Sequence, residues 1–248
     1  MRLIIIGFHV LLLLLTGVLA QSPKDTLKVL FVGNSYTYTS NLPHVISAIS
    51  KKTDTYIDAY KSVKGGAHLS EHWQGKRGLK TVDIIKNGDY DIVVLQEFSM
   101  GTINDESDFM EYSKKFAELI RSTGAEPWYF QTWAREKVPQ YQEIISTVYS
   151  KAAAEFDIDM VPVGDAWDLA RNLRPTIELF VSDGTHPSDL GTFLSACVFV
   201  KMLTGELPEK ITSSLSWHDG RGEEIILMYT DFLDIVFCQK VVEEIFID

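Results

Sequence analysis

The stretch Leu27-Lys-Val-Leu-Phe-Val-Gly-Asn-Ser35 decides the fold class, because an almost wholly apolar run ends at a glycine followed by polar residues. Such a run, rich in strand-forming residues, is typical of a strand that is covered on both faces. The segment Asp91-Ile-Val-Val-Leu95 has the same character. Both segments therefore predict central strands of a sheet that has helices on each side.

Outward from these two segments, short apolar runs alternate with longer amphipathic ones. The five predicted strands are Leu27–Val32, Thr55–Tyr60, Asp91–Leu95, Glu126–Gln131 and Met160–Val163. Helical patterns lie at about 41–52, 79–87, 105–122, 139–156, 188–204 and 222–246. Because strand and helix alternate, the strands are expected to pair in parallel through right-handed crossovers. We predict a three-layer α/β/α sandwich, flavodoxin-like, with about five parallel strands.

The N-terminus has the residue order of a secretory signal peptide. Arg2 precedes an apolar run from Leu3 to Leu15, and small residues come before the polar segment that starts at Gln21. We expect cleavage after Ala20, and therefore a secreted or periplasmic protein. A retained N-terminal anchor is the alternative, although the run is shorter than the roughly 20 residues of a comfortable membrane span. Residues 21–248 are then expected to form one catalytic domain.

Charge and cysteine content narrow the function classes. The formal net charge of −11 disfavours nucleic acid and anionic lipid as partners, so no membrane contact is expected after signal cleavage. The sequence gives no indication of the oligomeric state. Cys197 and Cys238 both lie in apolar runs, which favours buried free thiols, but an exported protein could oxidise them to a disulfide. Neither cysteine is expected to act as a nucleophile or metal ligand.

Polar residues and glycines follow the first three predicted strands, where ligands bind in folds of this class. Ser35 places a hydroxyl at a strand-to-helix turn, although a helix N-cap would explain it equally well. Gly65 and Gly66 let a backbone N–H approach a ligand, or simply form a turn. Gln96 carries an amide that could donate to an oxyanion or satisfy a loop backbone.

Far downstream, Val181-Ser-Asp183-Gly-Thr-His186-Pro187 sets an acid and a histidine three residues apart. A histidine base needs an acceptor on its other ring nitrogen, and a tight loop of this kind could supply it. Taken alone, the pair is explained equally well by a surface loop or a metal site. Together with the three strand-end signals, it indicates a catalytic site.

In this order the four signals resemble the SGNH/GDSL superfamily of hydrolases, whose blocks contribute a Ser, a Gly, an Asn and a His. The resemblance covers about residues 27–204. It implies an ester hydrolase that needs no cofactor and no metal ion. In such an enzyme Ser35 would be the nucleophile, His186 the general base and Asp183 the acid that orients it.

The resemblance also implies an oxyanion hole. Its donors would be the backbone N–H groups of Ser35 and Gly66, with Gly65 as the alternative register, and the side-chain amide of Gln96. The third block departs from the common Gly-x-Asn-Asp pattern, since this chain has Leu95-Gln-Glu97, as some bacterial branches of the superfamily do.

Further residues are expected to contact the substrate. We predict this role for Asn34, His68 and Trp133, and Arg135 is a further pocket candidate. The expected substrate is a small-molecule or oligosaccharide ester, with a small acyl group such as acetyl on a carbohydrate. This expectation follows by analogy, because the superfamily cleaves several ester classes on similar scaffolds.

Two alternative functions also fit parts of the sequence. A non-catalytic carbohydrate-binding or scaffolding protein could keep this fold, but loss of a triad residue would be its signature. The segment His68-Leu-Ser-Glu71-His72 matches the His-x-x-Glu-His pattern of a zinc metallopeptidase. That motif explains no other feature of the chain, so the serine esterase is the preferred interpretation.

Overall fold

In the computed structural model, which describes residues 25–247, five strands form one parallel sheet. They are β1 (Asp25–Gly33), β2 (Thr55–Val63), β3 (Ile92–Leu95), β4 (Glu126–Phe130) and β5 (Asp159–Val161). Their order across the sheet is β2-β1-β3-β4-β5, which is the doubly wound order of flavodoxin-like folds. The predicted fold class is confirmed. The predicted signal peptide, residues 1–20, lies outside the described residues.

Alternation along β1 explains why its segment from Val29 to Val32 is apolar throughout. Val29 and Phe31 belong to the core on one face of the sheet, whereas Leu30 and Val32 belong to the core on the other. All four side chains are at most 1% exposed. A strand that is buried on both faces cannot alternate polar with apolar residues, so β1 lies in the interior of the sheet as its sequence predicts.

Helices cover both faces of the sheet. They are α1 (Ser35–Tyr38), α2 (Leu42–Ser50), α3 (Leu69–Gln74), α4 (Thr81–Asn87), α5 (Gly101–Asn104), α6 (Glu106–Ser122), α7 (Gln142–Phe156), α8 (Val163–Leu173), α9 (Asp189–Thr204) and α10 (Phe232–Ile245). Helices α2, α8, α9 and α10 pack on one face, and α6 and α7 pack on the other. In the described part of the chain, no helix has the length and apolar character of a membrane span.

The prediction of a helix over 222–246 is wrong in its first part. A two-stranded antiparallel hairpin forms there, from β6 (Ser214–His218) and β7 (Glu224–Tyr229), and α10 begins only at Phe232. The Asp219 carboxylate accepts hydrogen bonds from the backbone N–H groups of Arg221 and Glu223 and so fixes the hairpin turn. The apolar run after that turn is too short to distinguish a strand from a helix by its pattern.

The last predicted strand also ends earlier than expected. The sequence pattern predicts this strand at Met160–Val163, but β5 ends at Val161. Val163 is already the first residue of α8, a helix that the sequence pattern does not predict. Both cysteines are free and buried, Cys197 on α9 and Cys238 on α10. Burial raises the pKa of each thiol, for Cys238 to about 12, so neither is disposed to react as a thiolate.

Candidate active site

Ser35 lies at the carboxyl edge of the sheet, in the first turn after β1. Asn34, rather than Ser35, caps α1, because its side-chain oxygen accepts a hydrogen bond from the Tyr36 backbone N–H at 3.1 Å. The N-cap explanation of Ser35 is therefore excluded. Its hydroxyl is half-buried and free to take part in another contact.

A continuous hydrogen-bonded relay joins Ser35, His186 and Asp183. The Ser35 hydroxyl lies 2.8 Å from Nε2 of His186, and Nδ1 of the same ring lies 2.6 Å from a carboxylate oxygen of Asp183. An ionised carboxylate only accepts hydrogen bonds, so the proton of the neutral imidazole lies on Nδ1. Nε2 is then the acceptor that the serine hydroxyl needs if it is to lose a proton.

The loop that carries this acid and base is held by its own hydrogen bonds. The second Asp183 oxygen accepts from the backbone N–H groups of Thr185 and His186, at 2.8 and 2.9 Å. Gly184 allows the turn with φ of +65°. The bond from the His186 ring, followed by these backbone bonds, lowers the pKa of Asp183 to about 2. Asp183 therefore stays ionised at every pH at which the protein would work.

Two backbone N–H groups remain available beside the serine. Among the hydrogen bonds of residues 25–247, none uses the N–H of Ser35 or of Gly66. Gly66 is exposed and has φ of +64°, and a Cβ there would meet nothing within 4 Å. Its backbone conformation, rather than lack of space, therefore requires glycine. The assignment of Gly66, with Gly65 as the alternative register, to the oxyanion hole stays a prediction.

Gln96 lies behind the serine turn rather than in front of it, and this contradicts its predicted role as an oxyanion donor. Its side chain is fully buried. The side-chain oxygen accepts from the Asn34 backbone N–H at 2.9 Å and from the Thr37 hydroxyl at 3.0 Å, while Nε2 donates to the backbone oxygen of Glu97. The amide holds the turn that carries Ser35 and does not face a substrate.

Asn34 was predicted to bind substrate, and the structure gives it a supporting position instead. Its side chain is 2% exposed. Besides capping α1, its amide nitrogen donates to the backbone oxygens of Ala67 at 3.0 Å and Glu97 at 3.4 Å. One side chain thus joins the loops that follow β1, β2 and β3.

Trp133 is also a supporting residue rather than a substrate contact, since it is only 1% exposed. Its indole ring is stacked between Tyr36, at 4.3 Å, and Trp167, at 3.9 Å. The ring N–H donates to the backbone oxygen of Thr185 at 3.1 Å. Trp133 therefore anchors the loop that carries Asp183 and His186.

The two histidines of the zinc-like motif have different surroundings. His72 is fully buried, and its ring nitrogens lie 2.7 Å from the Thr81 hydroxyl and 2.9 Å from the Gly33 backbone oxygen. Both nitrogens are therefore engaged, which leaves none for a metal ion. His68 has a side chain that is 38% exposed and lies 2.9 Å from Glu97. Of the three predicted substrate contacts, only His68 lies where it could touch a ligand.

Two residues that support the site were not found by sequence reasoning. Tyr36 presents its ring to His186, with centroids 6.0 Å apart and planes at 78°. Glu97 is 1% exposed and accepts from the backbone N–H groups of Leu69 and Phe98. Their positions directly after Ser35 and Gln96 were the only available signal, and they do not show which way either side chain points.

The site opens directly to solvent. The side chains of His186 and Asp183 are 35% and 48% exposed. Such an open arrangement leaves room for a bulky group next to the serine.

The five-stranded parallel sheet and its strand order are similar to those of several solved structures. A proposed SGNH hydrolase from Slackia heliotrinireducens is similar over 72% of this chain and all of its own length, with a TM-score of 0.61 and 23% identity. An acetyl xylan esterase is similar over 71% of this chain and all of its own length, with a TM-score of 0.57 and 16% identity.

A third structure is similar over a larger share of the chain. A DUF4886 family protein from Bacteroides uniformis is similar over 89% of this chain and 94% of its own length, with a TM-score of 0.71 and 18% identity. Neither the family models nor the curated proteins gave a match to the sequence. The likeness to known proteins is therefore a likeness of fold.

Proposed function

We propose that this protein is a serine esterase that hydrolyses carboxylic esters, with Ser35, His186 and Asp183 as its catalytic triad. The observation that carries the proposal is the relay from the Ser35 hydroxyl through both nitrogens of the His186 ring to Asp183. Structural similarity to hydrolases, including an acetyl xylan esterase, supports the same reaction class.

In the first half of the reaction, the Ser35 oxygen attacks the ester carbonyl carbon while Nε2 of His186 takes the hydroxyl proton. Asp183 stabilises the imidazolium that forms and keeps the ring in the required orientation. The carbonyl oxygen becomes an oxyanion, which we expect to accept from the free backbone N–H groups of Ser35 and Gly66. A single donor of this kind is worth about 3 kcal/mol of barrier.

When the tetrahedral intermediate collapses, the bond to the alcohol oxygen breaks and His186 returns the proton to that oxygen. The alcohol leaves, and the acyl group remains on Ser35. Water then enters, loses a proton to His186 and attacks the acyl carbon, which releases the carboxylic acid and restores the serine. The proton balance closes without any further group.

For the substrate, we propose a small acyl group, such as acetyl, on a carbohydrate. The open site supports this choice, because a bulky hydrophilic alcohol can approach the exposed His186 and Asp183 side chains. The sequence pattern of residues 1–20 adds the proposal that the protein works outside the cytoplasm, where such esters would be met.

Replacing the nucleophile tests the proposed reaction. We expect Ser35→Ala to lower kcat on 4-nitrophenyl acetate by at least about a thousandfold, because the oxyanion donors alone cannot form an acyl-enzyme. A fluorophosphonate should label Ser35 in the wild-type protein, and mass spectrometry of the peptides would locate the label.

The matched control is Ser214→Ala, at an exposed serine on β6. This variant should keep wild-type turnover, and both variants should melt near the wild-type temperature. A label on another serine, or full activity of the Ser35→Ala variant, would overturn the proposal.

A further inference from the structure

Arg135 is a half-buried cation in the loop that follows β4. Two residues close to it in the chain are bonded to the loop that carries Asp183 and His186. Trp133 donates to the Thr185 backbone oxygen at 3.1 Å, and the Glu136 N–H donates to the Gly184 backbone oxygen at 2.9 Å. Arg135 lies between these two attachments. Its backbone is therefore held beside the loop that carries Asp183 and His186.

The side chain of Arg135 crosses to the loop after β3. Its Nη2 donates to the Ser99 hydroxyl at 2.9 Å, and its guanidinium carbon lies 5.9 Å from the centre of the Phe98 ring. The Phe98 ring in turn lies 4.7 Å from the ring of His68. The guanidinium thus occupies the same edge of the sheet as the serine turn and the exposed His68.

Most of the hydrogen-bonding capacity of Arg135 is unused. A guanidinium has five N–H donors, whereas within residues 25–247 this one donates to the Ser99 hydroxyl and lies within hydrogen-bonding reach of the Tyr36 hydroxyl. Its Nε is buried without a partner. By contrast, Arg77 and Arg174 each lie 2.8 and 2.7 Å from a carboxylate oxygen. A partly desolvated cation without a counter-charge is costly, and an anionic ligand would remove that cost.

Tyr36 shows how near this cation is to the triad. Its hydroxyl is buried beside the Ser99 and Arg135 side chains, while its ring faces His186. Burial raises the pKa of Tyr36 to about 12; the nearby Ser99 and Arg135 oppose that rise, and Asp183 adds to it. Tyr36 therefore lies next to both the Arg135 side chain and the His186 ring.

We propose that Arg135 binds a carboxylate on the alcohol part of the ester, so that the preferred substrates are acetyl esters of acidic sugars. The inference rests on the proposed esterase function and adds the substrate charge. A carboxylate matches the planar fork of a guanidinium. It is favoured over a doubly charged phosphate because the chain carries a formal charge of −11.

The kinetic test uses two esters that differ in one group, an acetylated methyl glucuronoside and the matching acetylated methyl glucoside. We expect the wild-type protein to have the higher kcat/KM on the acidic sugar. Arg135→Met should lower that value by about 10- to 100-fold, the effect of one charge-assisted contact, and change the neutral sugar ester little. Arg135→Lys should retain part of the preference, and Lys137→Met, at an exposed cation on the same loop, should retain all of it.

A structural role for Arg135 gives a different result, since its loss would then lower the rates on both esters by the same factor. That result, or a wild-type protein without preference for the acidic sugar, would overturn the inference. Failure of the proposed esterase function is separable, because neither ester would then be turned over in a Ser35-dependent way.

A binding measurement keeps recognition testable without turnover. Unesterified methyl glucuronoside, titrated into the Ser35→Ala variant, should perturb the NMR signals of the loops that carry Arg135 and Ser99, and methyl glucoside should not. The double variant that also carries Arg135→Met should lose the response. Equal responses to both sugars would contradict the proposal, whatever the kinetic result.

Discussion

At the scale of single residues, the shape of the turn that carries Ser35 depends on the buried side chain of Gln96. The oxygen of Gln96 accepts from Asn34 and Thr37, and a Cβ at Gly33 would lie 2.4 Å from that oxygen. Glycine at position 33 therefore permits the close approach of the amide, and the amide then fixes the start of α1. Ser35 is the first residue of α1, so this contact also determines the direction of its side chain.

Replacing Gln96 should lower the free energy of unfolding, because its side chain supports the fold of the turn. Gln96→Leu has a similar volume but leaves the Asn34 N–H and the Thr37 hydroxyl buried without an acceptor, so we expect a loss of about 1–3 kcal/mol in the free energy of unfolding. Urea unfolding at neutral pH measures this loss. Gln140→Leu, at an exposed glutamine, is the matched control and should change stability by less than about 0.5 kcal/mol.

The opposite outcome has a clear meaning. If Gln96→Leu unfolds at the wild-type urea concentration and yet loses a hundredfold or more in kcat, the amide donates to the oxyanion after all. The arrangement described for Gln96 would then apply only to the unliganded protein.

The contrast between triad and supporting residues shows what sequence can predict at this scale. Asp183 and His186 lie three residues apart in one tight loop, so their contact is local and the spacing is informative. Asn34, Gln96 and Trp133 lie in the expected loops, but each faces away from the substrate side. A motif fixes the position of a residue along the chain, whereas the direction of its side chain depends on packing with distant segments.

At the scale of secondary-structure elements, α9 approaches the rest of the molecule closely at Gly191. A Cβ there would lie 2.2 Å from the Leu179 backbone oxygen and 2.7 Å from the Trp167 ring. The helix directly follows His186 and is capped by the Ser188 side chain, which accepts from the Gly191 N–H. The close packing of α9 therefore sets the position of the loop before it, which carries Asp183 and His186.

Adding one methyl group at this position tests the seating. We expect Gly191→Ala to destabilise the protein by about 1–3 kcal/mol, because the backbone oxygen of Leu179 cannot move aside without shifting the helix. Thermal unfolding measures the change. Gly220→Ala is the matched control, since a Cβ at that position meets nothing within 4 Å. Equal melting temperatures for the two variants would contradict the described packing of α9.

Some secondary-structure elements could be predicted from the sequence and others could not. The parallel strands could be predicted because each central strand is an uninterrupted apolar run between turn residues. The hairpin of β6 and β7 could not, since Glu224–Tyr229 is a short apolar run whose pairing partner is another short run. The start of α8 was missed because Val161 and Val163 continue the strand pattern across Pro162.

At the scale of the whole molecule, His72 links folding stability to pH. Burial lowers the pKa of His72 to about 4, whereas an unfolded chain has a histidine pKa of 6.5. Between these values the unfolded chain binds a proton that the folded protein does not. Stability is therefore complete above pH 6.5 and falls as the pH is lowered towards 4.

His72→Gln keeps a donor and an acceptor but cannot titrate. We expect the wild-type protein to lose about 3 kcal/mol more than this variant in the free energy of unfolding between pH 7 and pH 4. Urea unfolding at a series of pH values gives the difference. His218→Gln, at an exposed histidine, should follow the wild-type curve. Parallel curves for the wild type and His72→Gln would show that burial of His72 does not control acid stability.

The stacked indoles have an optical consequence. Trp133 and Trp167 overlap with centroids 3.9 Å apart and planes 3° apart, and both are 1% exposed. Two chromophores this close absorb and emit as a coupled pair, shielded from quenchers in the solvent. The Trp133 N–H donates to the Thr185 backbone oxygen. We therefore expect a ligand that displaces the Asp183–His186 loop to change the fluorescence of the two tryptophans. Tryptophan fluorescence would then detect ligand binding next to His186 without an added label.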